Sequence, residues 1–549
     1  MKLHRPMRCP NRATGLLTLA LAALVTGCSG LPSASSPKAE ATPLTAASDC
    51  PTRIAHYRQR IESAAIEDPY GYAIDGYPYL RVDRTLASFV QPENAAGEPL
   101  DRLLNQQHAF NSWYQRLYTL AKQARQFELA NLHPPYPADA VSRLEGCIEQ
   151  QASSDRQADN FHQQLLEQTQ VPELYSSGQR ALGLFPLTRE IVLQQIGKEQ
   201  QRWHDQFNNP TLFHGSNRRY APPDSSPLDV SQIGEWLEQA QRNDPLQLPQ
   251  LNTQRLQRLF RHFAPVWQIS TPIAPSTIDP KITNYIRPDS DLIGSLYWPD
   301  GRPDTLPALN SSDPTSYLMP SYTRIDGRWL LQLNYLVWFN ARPPQQSLDL
   351  YAGALDGLLW RVTLDSDGTV LLYDSIHPCG CYHQIFPVSA RLEPKPADVN
   401  VEQPLIIKAV AFERSQGRTV LQLTGQEHFL QGIALQPQRT QIERDRIEGT
   451  KSKGDIRNNP APINTPYRLA SYHQLRSLPA GAGRRGLFAR DGLVTGTERP
   501  ERWLLWPMGV DSPGAMRIWG RHAISFANRR YFDQPDLFEP FFEFREQRY

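Results

Sequence analysis

The spacing of apolar residues divides the chain into two textures. From Cys50 to about His262 the period is helical. Val230, Ile233, Trp236, Leu237 and Ala240 share one helical face behind an N-cap at Asp229, and Leu256, Leu259, Phe260 and Phe263 repeat the spacing. After Pro137, Val141, Leu144 and Ile148 form another such face with Cys147 beside it. From Pro265 the period shortens to two. Trp329, Leu331, Leu333, Tyr335, Val337 and Phe339 take one side of a strand. Its other side carries Gln332 and Asn334 among apolar residues, which predicts a place inside a sheet.

Turn chemistry adds the connections. Leu358–Leu364 and Thr369–Asp374 read as a hairpin turning on Asp365-Ser366-Asp367-Gly368. A second hairpin is expected between Leu405–Phe412 and Thr419–Leu423, across Gln416-Gly417. Residues 436–466 are polar and aperiodic and read as a loop. Ser512-Pro513 offers an N-cap and a first-turn proline for a helix with Met516, Trp519, Ala523 and Phe526 on its apolar face. Helices followed by antiparallel hairpins imply an α+β fold. The expected divisions are a helical domain at 50–264, a mainly antiparallel β domain at 265–435 and an α-containing segment at 467–549 packed on the β domain.

The first 27 residues have a different character. Lys2, Arg5, Arg8 and Arg12 precede an apolar run from Leu16 to Val25, and no acidic residue interrupts them. About ten apolar residues are too few for the roughly 20 that span a bilayer. The run ends in Val25-Thr26-Gly27-Cys28, which resembles the lipobox of bacterial lipoproteins. The resemblance covers only this leader. It implies cleavage of residues 1–27 and acylation of Cys28, and Ser29, where an inner-membrane lipoprotein typically carries Asp, implies the outer membrane. Residues 28–49, rich in Ser, Ala and Pro, then read as a lipidated flexible tether.

Loss of the leader leaves 522 of the 549 residues and moves the formal charge from +1 to −3. Neither value, nor any basic tract with interleaved aromatics, suggests a nucleic-acid partner. The partners expected are the membrane through Cys28 and an envelope protein or cell-wall ligand. The 48 prolines exceed the usual share of ~5% and imply many loops.

Candidate chemistry concentrates in Ile376–Gln384, "IHPCGCYHQ", where His377, Cys379, Cys381 and His383 stand two apart. An extended chain turns all four to one face. At about 3.3 Å per residue, however, the two histidines end up roughly 20 Å apart unless the chain curls. A metal such as zinc or copper, held by two or three of these residues and an outside ligand, is one reading. A strained Cys379–Cys381 disulfide is another, and a catalytic thiol or inert thiols are the rest. Removal of Cys9 with the leader and acylation of Cys28 leave four cysteines, and an oxidising periplasm makes Cys50–Cys147 the simplest other bridge. The turn ends a strand beside the central sheet and is the expected functional surface.

Three further groupings carry weaker readings. Arg517, Arg521 and His522 form a candidate anion-binding edge if they face a cleft. Asp68–Arg84 brings four tyrosines among Gly and Pro, suited to a carbohydrate groove or to packing an irregular loop. Asp356 and Asp374 flank the hairpin and suit glycoside hydrolysis only at the proper separation. Nucleophile-elbow and zincin-helix motifs are absent, and the Gly/Arg-rich stretch PAGAGRRGLFARDG has neither a Gly-Lys-Ser/Thr ending nor a strand leading into a helix at the spacing a phosphate or dinucleotide loop requires. Three classes follow: a non-catalytic, partner- or ligand-binding envelope lipoprotein, a metal-binding protein or metal-dependent enzyme, and a cysteine-centred redox protein or hydrolase. The catalytic residues of either enzyme class are unknown from sequence.

Overall fold

The computed structural model describes residues 48–90, 103–208, 217–270, 288–299, 305–396, 401–409, 417–437, 464–481 and 483–545. Cys28, the leader and nearly all of the tether lie outside them. Residues from Asp49 onward form one compact unit.

The first half is mainly helical. It runs through α1 (Cys50–Ser63), a hairpin of β1 (Tyr72–Ile74) and β2 (Tyr77–Val82), then α2 (Gln107–Asn131), α3 (Ala138–Asp155), α4 (Phe161–Gln168), α5 (Ser177–Leu182) and α6 (Phe185–Asn208). The strand β3 (Asn217–Ala221), helices α7 (Val230–Asn243) and α8 (Thr253–Phe263) and strand β4 (Val266–Ser270) complete it. Asp49 caps α1 by accepting from Thr52 N at 2.9 Å, and Cys50 is bridged to Cys147 of α3 with Cα atoms 5.1 Å apart. Asp229 caps α7 as expected, through Ser231 N. Of the stripes read from the sequence, Ile233, Trp236 and Leu237, then Leu259 and Phe260, then Leu144, Cys147 and Ile148 are buried; Val141, Ala240, Leu256 and Phe263 are half-buried, and Val230 is exposed.

The second half builds β5 (Thr315–Ile325), β6 (Arg328–Arg342), β7 (Gly353–Leu364), β8 (Val370–Ile376), β9 (Gln384–Pro387), β10 (Leu405–Ile406), β11 (Gly417–Leu423), β12 (Leu430–Pro437), β13 (Asn464–Pro466) and β14 (Arg468–Ser471). A seven-stranded sheet has the order β10-β9-β8-β7-β6-β5-β14, and a five-stranded sheet the order β12-β11-β4-β3-β13. The five-stranded sheet therefore takes strands from both sides of residue 265. The fold is α+β, with antiparallel pairing in the middle of the large sheet and parallel pairs at its edges, β9 with β10 and β5 with β14.

Strand β6 is interior, as its two-sided burial requires. Its odd-numbered residues Leu331 to Phe339 join β7, β11 and helices α7 and α8 in one core. Its even-numbered Leu330, Leu336 and Trp338 join the C-terminal residues Met516, Ile518, Phe532 and Phe538 in another. The β7–β8 hairpin turns as expected on residues 365–368. Gly368 there has φ +88°, and a Cβ on it would lie 2.3 Å from Val230 O at the start of α7.

Three local expectations are corrected. Leu405–Ile406 pairs in parallel with Gln384–Ile385, and β11 pairs with β12 and β4, so they do not form a hairpin with each other. Gln436 and Pro437 end β12, and Asn464–Pro466 adds a strand beside β3, while the loop read between them lies outside the described residues. The helix expected from Ser512 is not formed. Gly514 and Gly520 take φ of +82° and +89°, and the amides of Arg517 and Ile518 donate to Pro378 O and Gly492 O at 3.0 and 2.8 Å. Backbone groups spent on neighbouring segments cannot close helical turns.

Candidate functional site

The stretch from His377 to His383 is a tight turn linking β8 to β9. The His377 amide donates to Cys381 O at 3.0 Å and that of Gly380 to His377 O at 2.8 Å. Gly380 has φ +91°, and a Cβ on it would sit 2.8 Å from Ala523 O. The C-terminal segment thus lies directly over the turn. His377, Cys379 and His383 are buried, and only Cys381 and Tyr382 are partly open. The expected functional surface is an interior turn.

Strand alternation then separates its histidines. On β7, Asp356 shares a face with Leu358 and Trp360, while Arg361 faces the other way and pairs in register with Asp374 of β8. Asp356 and Asp374 therefore lie on opposite faces of the sheet, which removes them as a carboxylate pair. His377 Nδ1 lies 3.1 Å from Asp356 Oδ1, and His383 Nε2 lies 3.1 Å from Asp374 Oδ2. The curled turn sends each histidine to its own carboxylate. The four-residue metal site of His377, Cys379, Cys381 and His383 is not assembled, and no group of three or more His, Cys, Asp or Glu side chains able to hold zinc, copper or another metal occurs among the described residues.

The expected Cys379–Cys381 bridge is also not formed. Both thiols are free, and the Cys381 amide donates to Cys379 Sγ at 3.3 Å. Hydrogen bonding to Cys379, together with burial, pushes the Cys381 thiol well above its ordinary range. A protonated thiol is a poor nucleophile.

Around Asp356 the structure builds a polar chain that sequence reading missed. His428 Nδ1 lies 2.9 Å from Asp356 Oδ2, and its Nε2 lies 3.4 Å from Asp291 Oδ1. The chain Asp291–His428–Asp356–His377 is buried throughout. Its acidic end also accepts the Gln426 amide at 2.6 Å. The His428 ring stacks on Phe339 with centroids 3.7 Å apart. Burial disfavours a charge on His428, but Asp291 and Asp356 outweigh it and raise its pKa. Burial likewise pushes Asp356 up, and its two histidines more than offset that, holding it well below the usual carboxylate range. For His377 burial outweighs Asp356 and the pKa falls. Asp356 thus stands between a His428 held toward its charged form and a His377 held toward its neutral form, with Arg342 nearby.

Arg342 donates to Tyr382 Oη at 3.2 Å and pairs with Glu427 at 3.3 Å. Tyr382 and Phe429 close over His377 with ring centroids 5.0 and 5.4 Å away, and Trp203 of α6 packs on both. A carboxylate-oriented imidazole with an unpartnered Nε2 is the layout of a general base. Here aromatic rings seal it. Nearby Glu501 is pushed by burial to a pKa of about 7, against the pull of Arg342, Arg499 and Arg517.

On the opposite face, Arg361 binds Asp374 through Nε at 2.8 Å and Nη2 at 2.5 Å, donates to Phe532 O at 2.7 Å and lies 3.6 Å over the Phe532 ring. That cluster ties the sheet to the C-terminal segment.

The anion-binding edge is not present either. Arg517 is buried and donates to the carbonyls of Asp511, Ser512 and Ala515. Arg521 lies 4.4 Å over the Tyr72 ring. Burial, with Arg517, holds His522 at a pKa of about 3, so it carries no charge near neutrality. The four tyrosines at 70, 72, 77 and 79 are buried, with Tyr72 Oη donating to Gly520 O and Tyr79 Oη to Asp155. They pack a loop onto the body and do not line a groove together.

No family model, curated protein or solved structure matches this chain. What the chain does must therefore be argued from its own surface.

The most conspicuous outward feature is apolar. At the junction of α5 and α6, Leu182, Leu184, Leu187 and Ile191 are 63–81% exposed. On the short helical segment at Arg502–Met508, Trp503 is 69%, Leu504 60% and Trp506 40% exposed. The two segments touch. A Cβ on Gly183 would lie 2.4 Å from Pro507 Cβ, Arg180 Nε donates to Met508 O at 2.8 Å, and the Ser176 amide donates to Gly509 O at 2.7 Å. Seven large apolar side chains on adjoining segments form a patch of the kind that marks an interaction site. Sequence periodicity does not reveal it, because an apolar helical stripe ordinarily signals core.

Proposed function

We propose that this chain is an outer-membrane-anchored lipoprotein, acylated at Cys28, whose periplasm-facing body binds a partner surface without catalysing a reaction. The observation that carries the binding role is the exposed apolar patch of α5–α6 and Trp503–Trp506. The reactive groups of the central turn favour the same reading. Its histidines are engaged with buried carboxylates, and the hydrogen bond with Cys379, together with burial, holds the Cys381 thiol above its ordinary range. The anchor rests on the leader, whose apolar run ends in the lipobox-like Val25-Thr26-Gly27-Cys28. Several acyl chains on one residue, each contributing on the order of 0.8 kcal/mol per buried methylene, give firm attachment.

Fractionation of cells expressing Cys28→Ser tests the anchor. The variant is expected to leave the outer-membrane fraction for the soluble fraction. Continued sedimentation with outer membrane would overturn acylation at Cys28 as the anchor.

A further inference from the structure

We propose that the α5–α6 junction and Trp503–Trp506 together form a membrane-docking face, by which the body lies against a phospholipid surface. The inference rests on the lipid-anchor reading above and adds a second contact between the same protein and the bilayer.

Four observations favour lipid as the occupant. The first is residue type. Trp503 and Trp506 present large amphipathic rings beside the aliphatic Leu182, Leu184, Leu187 and Ile191, the combination that settles at the boundary between headgroups and acyl chains. The second is charge. From Ser176 to Ile191 the chain carries Arg180, Arg189 and one acid, Glu190, which pairs with Arg189 at 2.9 Å. On the other segment Arg502 lies 4.8 Å over the Trp503 ring, while Glu501 is turned inward and buried. An apolar face with basic neighbours complements a surface containing anionic lipid.

The third is the build of α6. Trp203 packs against Tyr382 and Phe429, and Phe207 against Phe386, which holds the helix to the body along one side. Leu187 and Ile191 lie near its outward start, on a helix none of whose described side chains is buried. Their exposure is thus set by a held helix. The fourth is reach. Cys28 and Cys50 are 22 residues apart. Fully extended, 22 residues reach at most about 75 Å. An anchored body would meet the bilayer constantly, and a weak docking face would act at high effective concentration. No helix among the described residues is long and apolar enough to cross a membrane.

Flotation tests the proposal with the full chain carrying Cys28→Ser, so that no acyl chain contributes. The probe is vesicles of phosphatidylethanolamine and phosphatidylglycerol. The protein is expected to float with them, and Leu187→Glu combined with Trp503→Glu to lower its partition coefficient by about tenfold or more. Leu104→Glu, at an exposed leucine outside both segments, should change nothing. Unchanged circular dichroism confirms that the doubly substituted protein folds. Absence of flotation, or flotation indifferent to the double substitution, overturns the proposal. So does a concentration-dependent dimer that the substitutions abolish while vesicle binding persists, since the patch would then serve a second copy. Mass analysis of the N-terminal peptide of wild-type protein separates the two claims. An unmodified Cys28 defeats the anchor, while flotation of the unacylated protein decides the docking face by itself.

Discussion

Asp356 is buried between two histidines, and its loss should be expensive. In Asp356→Asn, His428 would lose the carboxylate 2.9 Å from its Nδ1 that favours its charged form. Removing one partner of a buried ion pair typically costs about 3–5 kcal/mol, and urea denaturation should show a loss of that size. A loss under about 1 kcal/mol would mean that His428 is neutral. The buried histidines also set a pH dependence. His377, His383 and His522 have native pKa values below the unfolded 6.5, His522 at about 3. Below pH 6.5 the unfolded chain therefore binds more protons, and stability falls with falling pH by up to about 1.4 kcal/mol per unit for each group. His428, with its raised pKa, acts oppositely: its contribution is full below pH 6.5 and is lost as pH rises through the native value. Glu501, raised to about 7, opposes this slope above pH 4.5, so the test is a difference: between pH 6.5 and 4, His522→Leu should make the dependence of the urea midpoint on acidification less destabilising by one proton. An unchanged slope would show that His522 is not a buried neutral group.

Among the elements, the Cys50–Cys147 bridge offers the clearest measurement. It ties α1 to α3 across a sequence separation of 97 residues. By the chain-entropy model a loop of that length contributes about 4–5 kcal/mol, with measured values often lower. Replacing both cysteines with alanine should lower the urea midpoint accordingly, and an unchanged midpoint would show that the bridge does not constrain the unfolded chain. The α7 and α8 stripes, the β6 alternation and the β7–β8 turn were legible beforehand because each depends on neighbours in sequence. The second hairpin and the C-terminal helix were not. Leu405–Ile406 found its partner in β9 and β11 found one in β4, pairings that no local spacing encodes. Around Ser512, the capping residue and first-turn proline were genuine local signals, but glycines at positive φ and hydrogen bonds to distant segments overrode them.

In the whole molecule, the seven-stranded sheet separates two apolar cores. One is shared with α7, α8 and the five-stranded sheet, the other with the C-terminal segment. The central turn joins β8 to β9 and sends one histidine into each side. That placement explains why the densest run of reactive side chains is interior, while the uncommitted apolar surface lies on α5–α6 and Trp503–Trp506. The sequence by itself determined the helical stripes, the strand alternation, the turn at residues 365–368 and the α+β class, because period and turn chemistry are local properties. It also made Cys50–Cys147 the simplest pairing, by counting the cysteines left over. Only the tertiary structure decided that His428 and Asp291 complete the Asp356–His377 chain, that His383 belongs to Asp374 and that the apolar side chains of the α5–α6 junction face outward. Those outcomes depend on side chains separated by from nine residues, for Asp374 and His383, to well over a hundred, for Asp291 and His428, whose meeting is decided by which faces the sheet buries.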